Sequence, residues 1–181
     1  MTKRESSGEV WFTSDTHFYH ANIIRFCNRP FKSVGEMNDV LIANWNGLVA
    51  PRDTVYHLGD FSMGDGFRVF RRLNGNICLI KGNHDKDKWL RDMPFGWVKD
   101  VYFLKAGKRA NKWLWLSHYA HRRWPNAHHG SLHLYGHSHG ELPGFGRSMD
   151  VGVDAFNFEP VHLDEVIKIL GQKEPTEHHK R

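Results

Sequence analysis

Five apolar runs punctuate the chain, and each ends on a polar residue able to bind a metal. Val10-Trp11-Phe12-Thr13-Ser14 runs into Asp15, Thr54-Val55-Tyr56-His57-Leu58 into Gly59-Asp60, and Ile77-Cys78-Leu79-Ile80 into Lys81-Gly82-Asn83-His84-Asp85. Trp113-Leu114-Trp115-Leu116-Ser117 leads to His118, and Leu132-His133-Leu134-Tyr135 to Gly136-His137-Ser138-His139. Short β-branched, aromatic and aliphatic runs bounded by glycine and polar residues read as buried strands. Helical patterns separate the first three. Residues 34–49, with Val40, Leu41, Ala43 and Leu48, predict an amphipathic helix that ends before Pro51. Residues 67–73 predict a short basic helix closed by Asn74-Gly75, and residues 163–170 a last helix ended by Gly171. After Trp97 strands dominate, over 97–104, 113–117, 132–135 and 149–153. The order is α/β first and β-rich later. Open α/β sheets carry their sites beyond the carboxyl ends of the strands, where all five polar blocks fall.

Length and composition narrow the class. A chain of 181 residues predicts one domain, placed here at 9–171, with frayed tails at 1–8 and 172–181. No apolar run reaches the roughly 18 residues of a membrane helix, so no membrane partner is expected. Residues 1–10 are polar and lack the apolar core of an export signal. Cys27 and Cys78 stand alone, which predicts a reducing, cytoplasmic compartment and excludes a zinc finger. The formal net charge of +5 and pI near 9.3 favour anionic partners such as phosphate esters, nucleotides or nucleic acid. Part of that charge belongs to His178-His179-Lys180-Arg181. Nothing in the sequence specifies an oligomeric state.

The five blocks together supply seven oxygen and nitrogen donors: Asp15, His17, Asp60, Asn83, His118, His137 and His139. That set is enough for two metal ions that share one carboxylate. Carboxylate, amide and neutral imidazole suit hard or borderline divalent ions; manganese is the ion expected, with iron, zinc, nickel or magnesium also compatible. Asp60 is the natural bridge, because its two oxygens and its charge can serve two cations. Gly59, Gly82 and Gly136 let the backbone turn beside the ions without a Cβ clash.

In this order, D-x-H, G-D, G-N-H-D, H and G-H-x-H, the blocks resemble the calcineurin-like metallophosphoesterase superfamily over residues 15–139. The resemblance implies a two-sheet α/β/β/α sandwich. It implies one ion held by Asp15, His17, Asp60 and His139, and a second held by Asp60, Asn83, His118 and His137. The activity implied is hydrolysis of phosphate esters by a hydroxide between the two ions. His84 takes the family's catalytic place near the substrate without ligating a metal, and Asp85 either orients His84 or N-caps a helix over 86–91. The chain departs from many relatives at Met63, where a polar residue is common, and no cap domain is inserted.

Other residues are assigned from their neighbours. His20 is a candidate phosphate contact, and Asn22 a helix N-cap. Arg122 and Arg123, just past His118 and beside Trp124, form a cation–aromatic loop suited to gripping phosphate and stacking a base. His57 reads as a satisfied core residue. Asp150 and Asp154 read as carboxylates that hydrogen-bond the ligating histidines. The expected function is a dimetal phosphodiesterase, with a phosphomonoesterase as the alternative within the class. A non-catalytic scaffold for protein or nucleic acid is the alternative outside it.

Overall fold

The computed structural model describes residues 8–106 and 111–176. The first half winds β1 (Val10–Thr13), α1 (Ala21–Phe26), α2 (Val34–Leu48), β2 (Thr54–His57), α3 (Gly66–Phe70), β3 (Asn76–Ile80) and α4 (Asp87–Leu90). The second half adds β4 (Val98–Lys99), β5 (Val101–Ala106), β6 (Lys112–Ser117), β7 (Leu132–Tyr135), β8 (Ser148–Asp150), β9 (Val161–His162) and α5 (Leu163–Gly171). One sheet has the order β4-β3-β2-β1-β9 and the other β5-β6-β7-β8. β1, β2, β3 and β4 are parallel, β9 antiparallel; β6, β7 and β8 are parallel, β5 antiparallel. The two sheets flanked by helices are the α/β sandwich expected.

Strand periodicity decides which layer each residue joins. In the first sheet Phe12, Tyr56 and Ile80 face the second sheet and meet Leu114, Leu116, Leu132 and Leu134. Val55 and Ile77 face the other way onto Trp45 of α2. Leu79 joins a third cluster with Met37, Leu41 and Ile42 of α2, and with Ile23 and Val69 of α1 and α3. Val166 and Leu170 of α5 join the core between the sheets. The outer face of the second sheet carries an aromatic stack, Trp115–His121 and Trp124–His133, against the loop after β6. His133 is buried there and satisfied, its Nδ1 bonded to Trp115 O at 3.0 Å and its Nε2 accepting from His121 N at 2.9 Å.

Several expectations are corrected. The predicted strand 97–104 is two strands on different sheets, because the chain crosses from one layer to the other at Asp100. The buried stripe of α2 is Met37, Leu41, Ile42 and Trp45, while Ala43 and Leu48 face outward. α3 ends at Phe70, so Asn74-Gly75 serves the entry to β3 and not the helix. α1 starts at Ala21 with His20 as its N-cap, which puts Asn22 inside the first turn. Residues 1–7 and 177–181 of the expected tails lie outside the described residues. Of the rest, Lys173 is docked: its carbonyl accepts from Arg147 Nε at 2.8 Å and its Nζ donates to Ser148 O at 3.0 Å. Among the described residues no helix is long and apolar enough to cross a membrane.

Candidate metal centre

The parallel register of β1, β2 and β3 aligns Thr13, His57 and Leu79. The loops that follow therefore leave the sheet at one edge, and backbone bonds tie them together: Asp15 N to Gly59 O at 2.9 Å, His17 N to Asp60 O at 3.0 Å. The second sheet joins through Gly136 N to His118 O at 2.9 Å and His137 N to the Asp15 carboxylate at 2.8 Å. A Cβ on Gly82 would run into Asp60, and one on Gly136 into Ser14 and Asp15, so both close approaches require glycine.

All seven expected ligands meet at this edge. Asp15, His17 and His139 present donor atoms within 4.8 Å of one another, and so do Asp60, His118 and His137. Asp60 Oδ2 stands between the groups, 3.5 Å from His17 Nε2 and 3.7 Å from His118 Nε2. Asn83 Oδ1 lies 2.9 Å from His118 Nε2. Five of the seven, Asp15, His17, Asp60, His137 and His139, have positive φ, between 48° and 66°. Such backbone in non-glycine residues costs free energy and clusters at functional sites.

The donor chemistry fits cations. Among the described residues only Thr13 Oγ1, Asp15 Oδ1 and His17 Nε2 are buried side-chain polar atoms with no hydrogen-bond partner. The last two face each other at 3.9 Å. An ion about 2.1 Å from each donor would set neighbouring donors roughly 3.0–3.4 Å apart, so the Asp15–His17, His17–Asp60 and Asp60–His118 pairs, now 3.5–3.9 Å apart, would draw in by a few tenths of an ångström to hold it. Imidazole tautomers agree. His118 Nδ1 donates to Leu58 O at 2.7 Å and His139 Nδ1 to Asp154 Oδ2 at 2.7 Å, which leaves each Nε2 for the centre.

Electrostatics tell the same story. Burial pushes the Asp15 carboxyl up to about 8 and the His17 imidazole down to about 2. An anion this desolvated needs a positive partner, and a histidine this depressed keeps its lone pair free. Burial also lowers His118. For His139 burial again opposes the charge, but the hydrogen bond to Asp154 and the Asp15 charge outweigh it and raise the pKa.

Three supports behind the ligands are built differently from expectation. Asp85, expected to orient His84 or cap a helix, does neither. Its buried carboxylate accepts from Asp60 N at 2.8 Å, Phe61 N at 3.0 Å and Gly82 N at 2.9 Å, clamping the second and third ligand loops together. α4 begins at Asp87 after Lys86, without a side-chain cap. Asp154 does bond His139 as expected, but Asp150 serves Ser138 Oγ and the amides of Gly140 and Gly152. Arg29, which the sequence did not single out, holds Asp154 through Nε at 2.8 Å and Nη2 at 2.7 Å. The same guanidinium donates to Asp15 O at 2.7 Å and Thr16 O at 3.1 Å. Cys27 also lies within ligand distance of His139 and Asp154, yet Asp154 is already committed to Arg29 and His139. His57 is a satisfied core residue as expected, bonded to Thr16 Oγ1 at 2.9 Å.

His84 sits at the open side of the cluster, its Nε2 4.0 Å from Asp60 Oδ2 and its side chain 42% exposed. His20 is beside it, 3.3 Å from His17 Nδ1 through its own Nδ1. Arg122 and Arg123 are not brought to the ligands. They line a separate cavity of about 560 Å³ with Trp124 and Phe145. The cavity that does touch the ligands, about 540 Å³, is walled by Phe26, Cys27, Glu141 and Leu142 beside His137 and His139. None of those four walls was legible: Glu141 and Leu142 are exposed loop residues without periodic signal, and Phe26 and Cys27 close a six-residue helix too short to show one.

A two-sheet α/β fold with these five blocks gathered at one edge is the arrangement that the resemblance to the calcineurin-like metallophosphoesterases implied, and the chain belongs to one family with a protein of Methanocaldococcus jannaschii. The uncharacterized protein MJ1445 of Methanocaldococcus jannaschii is 35% identical over 176 residues, covering 91% of this chain and 93% of that protein. The solved structure of AQ665, a protein of unknown function from Aquifex aeolicus, matches with a TM-score of 0.72 at 28% identity, over 90% of this chain and 99% of that one. A more remote likeness, TM-score 0.44 at 19% identity over 80% and 78% of the two chains, is to YfcE, a phosphoesterase from E. coli. No protein-family model matches the chain.

Proposed function

We propose that the protein is a divalent-metal-dependent phosphoesterase that prefers phosphodiesters. The observation that carries this reading is the placement of Asp60 between two donor groups, Asp15/His17/His139 and His118/His137 with Asn83. Two divalent ions held there would supply a nucleophile at neutral pH and neutralise phosphoryl charge. The chain's own residues do the rest. Asp60 would serve as a ligand to both ions, and Asp154, itself held by Arg29, fixes His139. The backbone clamp of Asp85 keeps Asp60 and Asn83 in register. His84 faces the open side, where its imidazole can donate to a phosphoryl or leaving-group oxygen. A diester is favoured because the cavity beside His137 and His139 is open and walled by Phe26 and Leu142, surfaces for organic groups on the ester. We assign manganese as the working ion and the cytoplasm as the compartment, the latter supported by unpaired Cys27 and Cys78.

Hydrolysis of bis-p-nitrophenyl phosphate and p-nitrophenyl phosphate across a series of divalent metals tests the proposal. Diester turnover should exceed monoester turnover with manganese, and Asp60→Asn should abolish both and weaken metal binding. Faster monoester turnover would make the protein a phosphatase. Undiminished turnover by Asp60→Asn would remove the shared-carboxylate mechanism.

A further inference from the structure

The cavity at the metal ligands does not stand alone. Leu142 forms a wall of it and also of a second cavity of about 370 Å³, which Arg122 and Phe145 line too. Arg122 and Phe145 in turn border the third, about 560 Å³, where Arg123 and Trp124 lie. The three volumes thus share walls in sequence, from His137 and His139 outward. Each has the size that takes one small ligand or one unit of a longer one.

The walls repeat one chemistry. Arg122 Cζ stacks over the Phe145 ring at 4.5 Å, and at the wall of the first cavity Arg25 Cζ lies over the Phe26 ring at 5.4 Å. Tyr119 packs against His137 with ring centroids 4.6 Å apart. Phe26, Leu142 and Phe145 are all among the exposed large hydrophobic residues, so this path gathers apolar surface that the core leaves uncovered. Cations paired with exposed rings are how proteins grip a phosphate backbone and stack unpaired bases. Glu141 and Glu174 are the acidic residues lining the first and third cavities, against Arg122 and Arg123.

The path is also held in shape. Tyr135 Oη donates to Leu142 O at 2.9 Å. Ser148 Oγ accepts from Phe145 N and donates to Phe145 O, both at 2.9 Å. Trp124 Nε1 donates to Ser131 O at 3.2 Å. A preorganised surface of exposed rings loses little entropy on binding.

We propose that the substrate is a linear single-stranded oligonucleotide, seated with its scissile phosphate at the metal ligands and its flanking nucleotides running past Leu142 to the Arg122–Phe145 pair. This rests on the phosphodiesterase reading above. Bases locked in a duplex cannot present their faces to these rings, which selects a single strand. Hydrolysis adds water at phosphorus and breaks one P–O ester bond. The water oxygen stays on the new phosphate monoester, and the leaving oxygen takes a proton to become a hydroxyl.

The test compares manganese-loaded protein on bis-p-nitrophenyl phosphate, a thymidine dinucleotide and a longer oligodeoxythymidylate. We expect kcat/KM to rise about tenfold or more from the dinucleotide to the oligomer, the effect of one added stacked base. Phe145→Ala and Arg122→Ala should each lower the ratio of oligomer to bis-p-nitrophenyl phosphate turnover by about tenfold, through KM. Labelled oligomer binding to Asp60→Asn, read by fluorescence anisotropy, should weaken with the same substitutions and need no turnover. Turnover of bis-p-nitrophenyl phosphate without any length dependence, or ratios unmoved by both substitutions, overturns this inference and leaves the diesterase reading standing. Absence of diester turnover with every metal overturns the underlying reading, and unchanged anisotropy then removes the groove as well.

Discussion

The relay Arg29–Asp154–His139 offers a quantitative test of how the metal edge is built. Asp154→Asn preserves shape but removes the charge that pairs with a guanidinium whose side chain is fully buried. Breaking a buried pair by removing one partner costs about 3–5 kcal/mol, because the other charge is stranded. Arg29 keeps two further acceptors, Asp15 O and Thr16 O, so the expected loss is smaller, roughly 2–3 kcal/mol. At about 2–4 °C per kcal/mol for a chain of this size, the melting temperature in chelator should fall about 4–12 °C. His139 also loses the carboxylate that fixes its tautomer, and partners of this kind are worth about 10–100-fold in metal affinity. Thermal unfolding in chelator and competition against a chromophoric chelator read the two effects separately. Arg29→Met alone should be comparably destabilising. Combined with Asp154→Asn it should cost less than the two singles together by at least about 1 kcal/mol. If Asp154→Asn moves neither melting temperature nor metal affinity, the relay holds nothing. The positioning role given to Arg29 then fails with it.

Other consequences follow from the same contacts. His84→Ala should lower kcat about 10²–10⁴-fold while metal affinity stays within about threefold, measured by steady-state kinetics and chelator competition; a parallel loss of affinity would make His84 a ligand. Asp85→Asn replaces an acceptor of three backbone N–H groups and should cost roughly 2–3 kcal/mol in urea unfolding, with an unchanged midpoint contradicting the clamp. Burial holds His57 at about 3 and His133 at about 4, against about 6.5 in the unfolded chain. The unfolded state therefore binds more protons below about pH 6.5. Stability is complete above that value and falls as pH drops towards 4 and then 3, by roughly 1.4 kcal/mol per unit for each histidine. His133→Gln should flatten this acid limb, and a limb parallel to that of the parent protein would refute the assignment.

The ligand loops were legible because each follows a short apolar run, and parallel strands share an exit edge. Once 10–14, 54–58 and 77–80 read as strands, Asp15, Asp60 and Asn83 had to emerge together. What escaped the sequence depends on contacts that local pattern does not carry. Arg29 and Asp154 lie 125 residues apart, and nothing near either one names the other. Asp85 has the local look of a helix cap, but a neighbouring loop offers it the amides of Asp60 and Phe61 beside that of Gly82 in its own loop, and tertiary pairing wins over propensity. The run 97–104 looks continuous because strand propensity is blind to which sheet a residue joins. Arg122 and Arg123 were near His118 in sequence only. The chain turns away after His118, with His121 N bonded to His133 Nε2, and their cavity shares Arg122 and Phe145 with the one that Leu142 walls.

There is a physical reason why the ligand blocks themselves are easy to read. Turning sharply off a strand end, so that a side chain points back along the sheet edge, takes a residue into left-handed backbone. Asp15 and Asp60 do this at φ 56° after β1 and β2, and His137 at 66° after β7. That conformation costs most L-residues about 1–2 kcal/mol, and aspartate, asparagine and histidine are the non-glycine residues that tolerate it best. They are also the residues whose oxygen and nitrogen atoms bind hard and borderline cations. At this edge the conformational and the coordination requirements select the same side chains, so a turn that evolved to carry a ligand advertises both. Five such residues would cost together about 5–10 kcal/mol, comparable with the whole stability of a domain. The cross-loop bonds of Asp15, His17 and His137 offset part of that cost, and the cations the orphaned Asp15 and His17 atoms face would offset more.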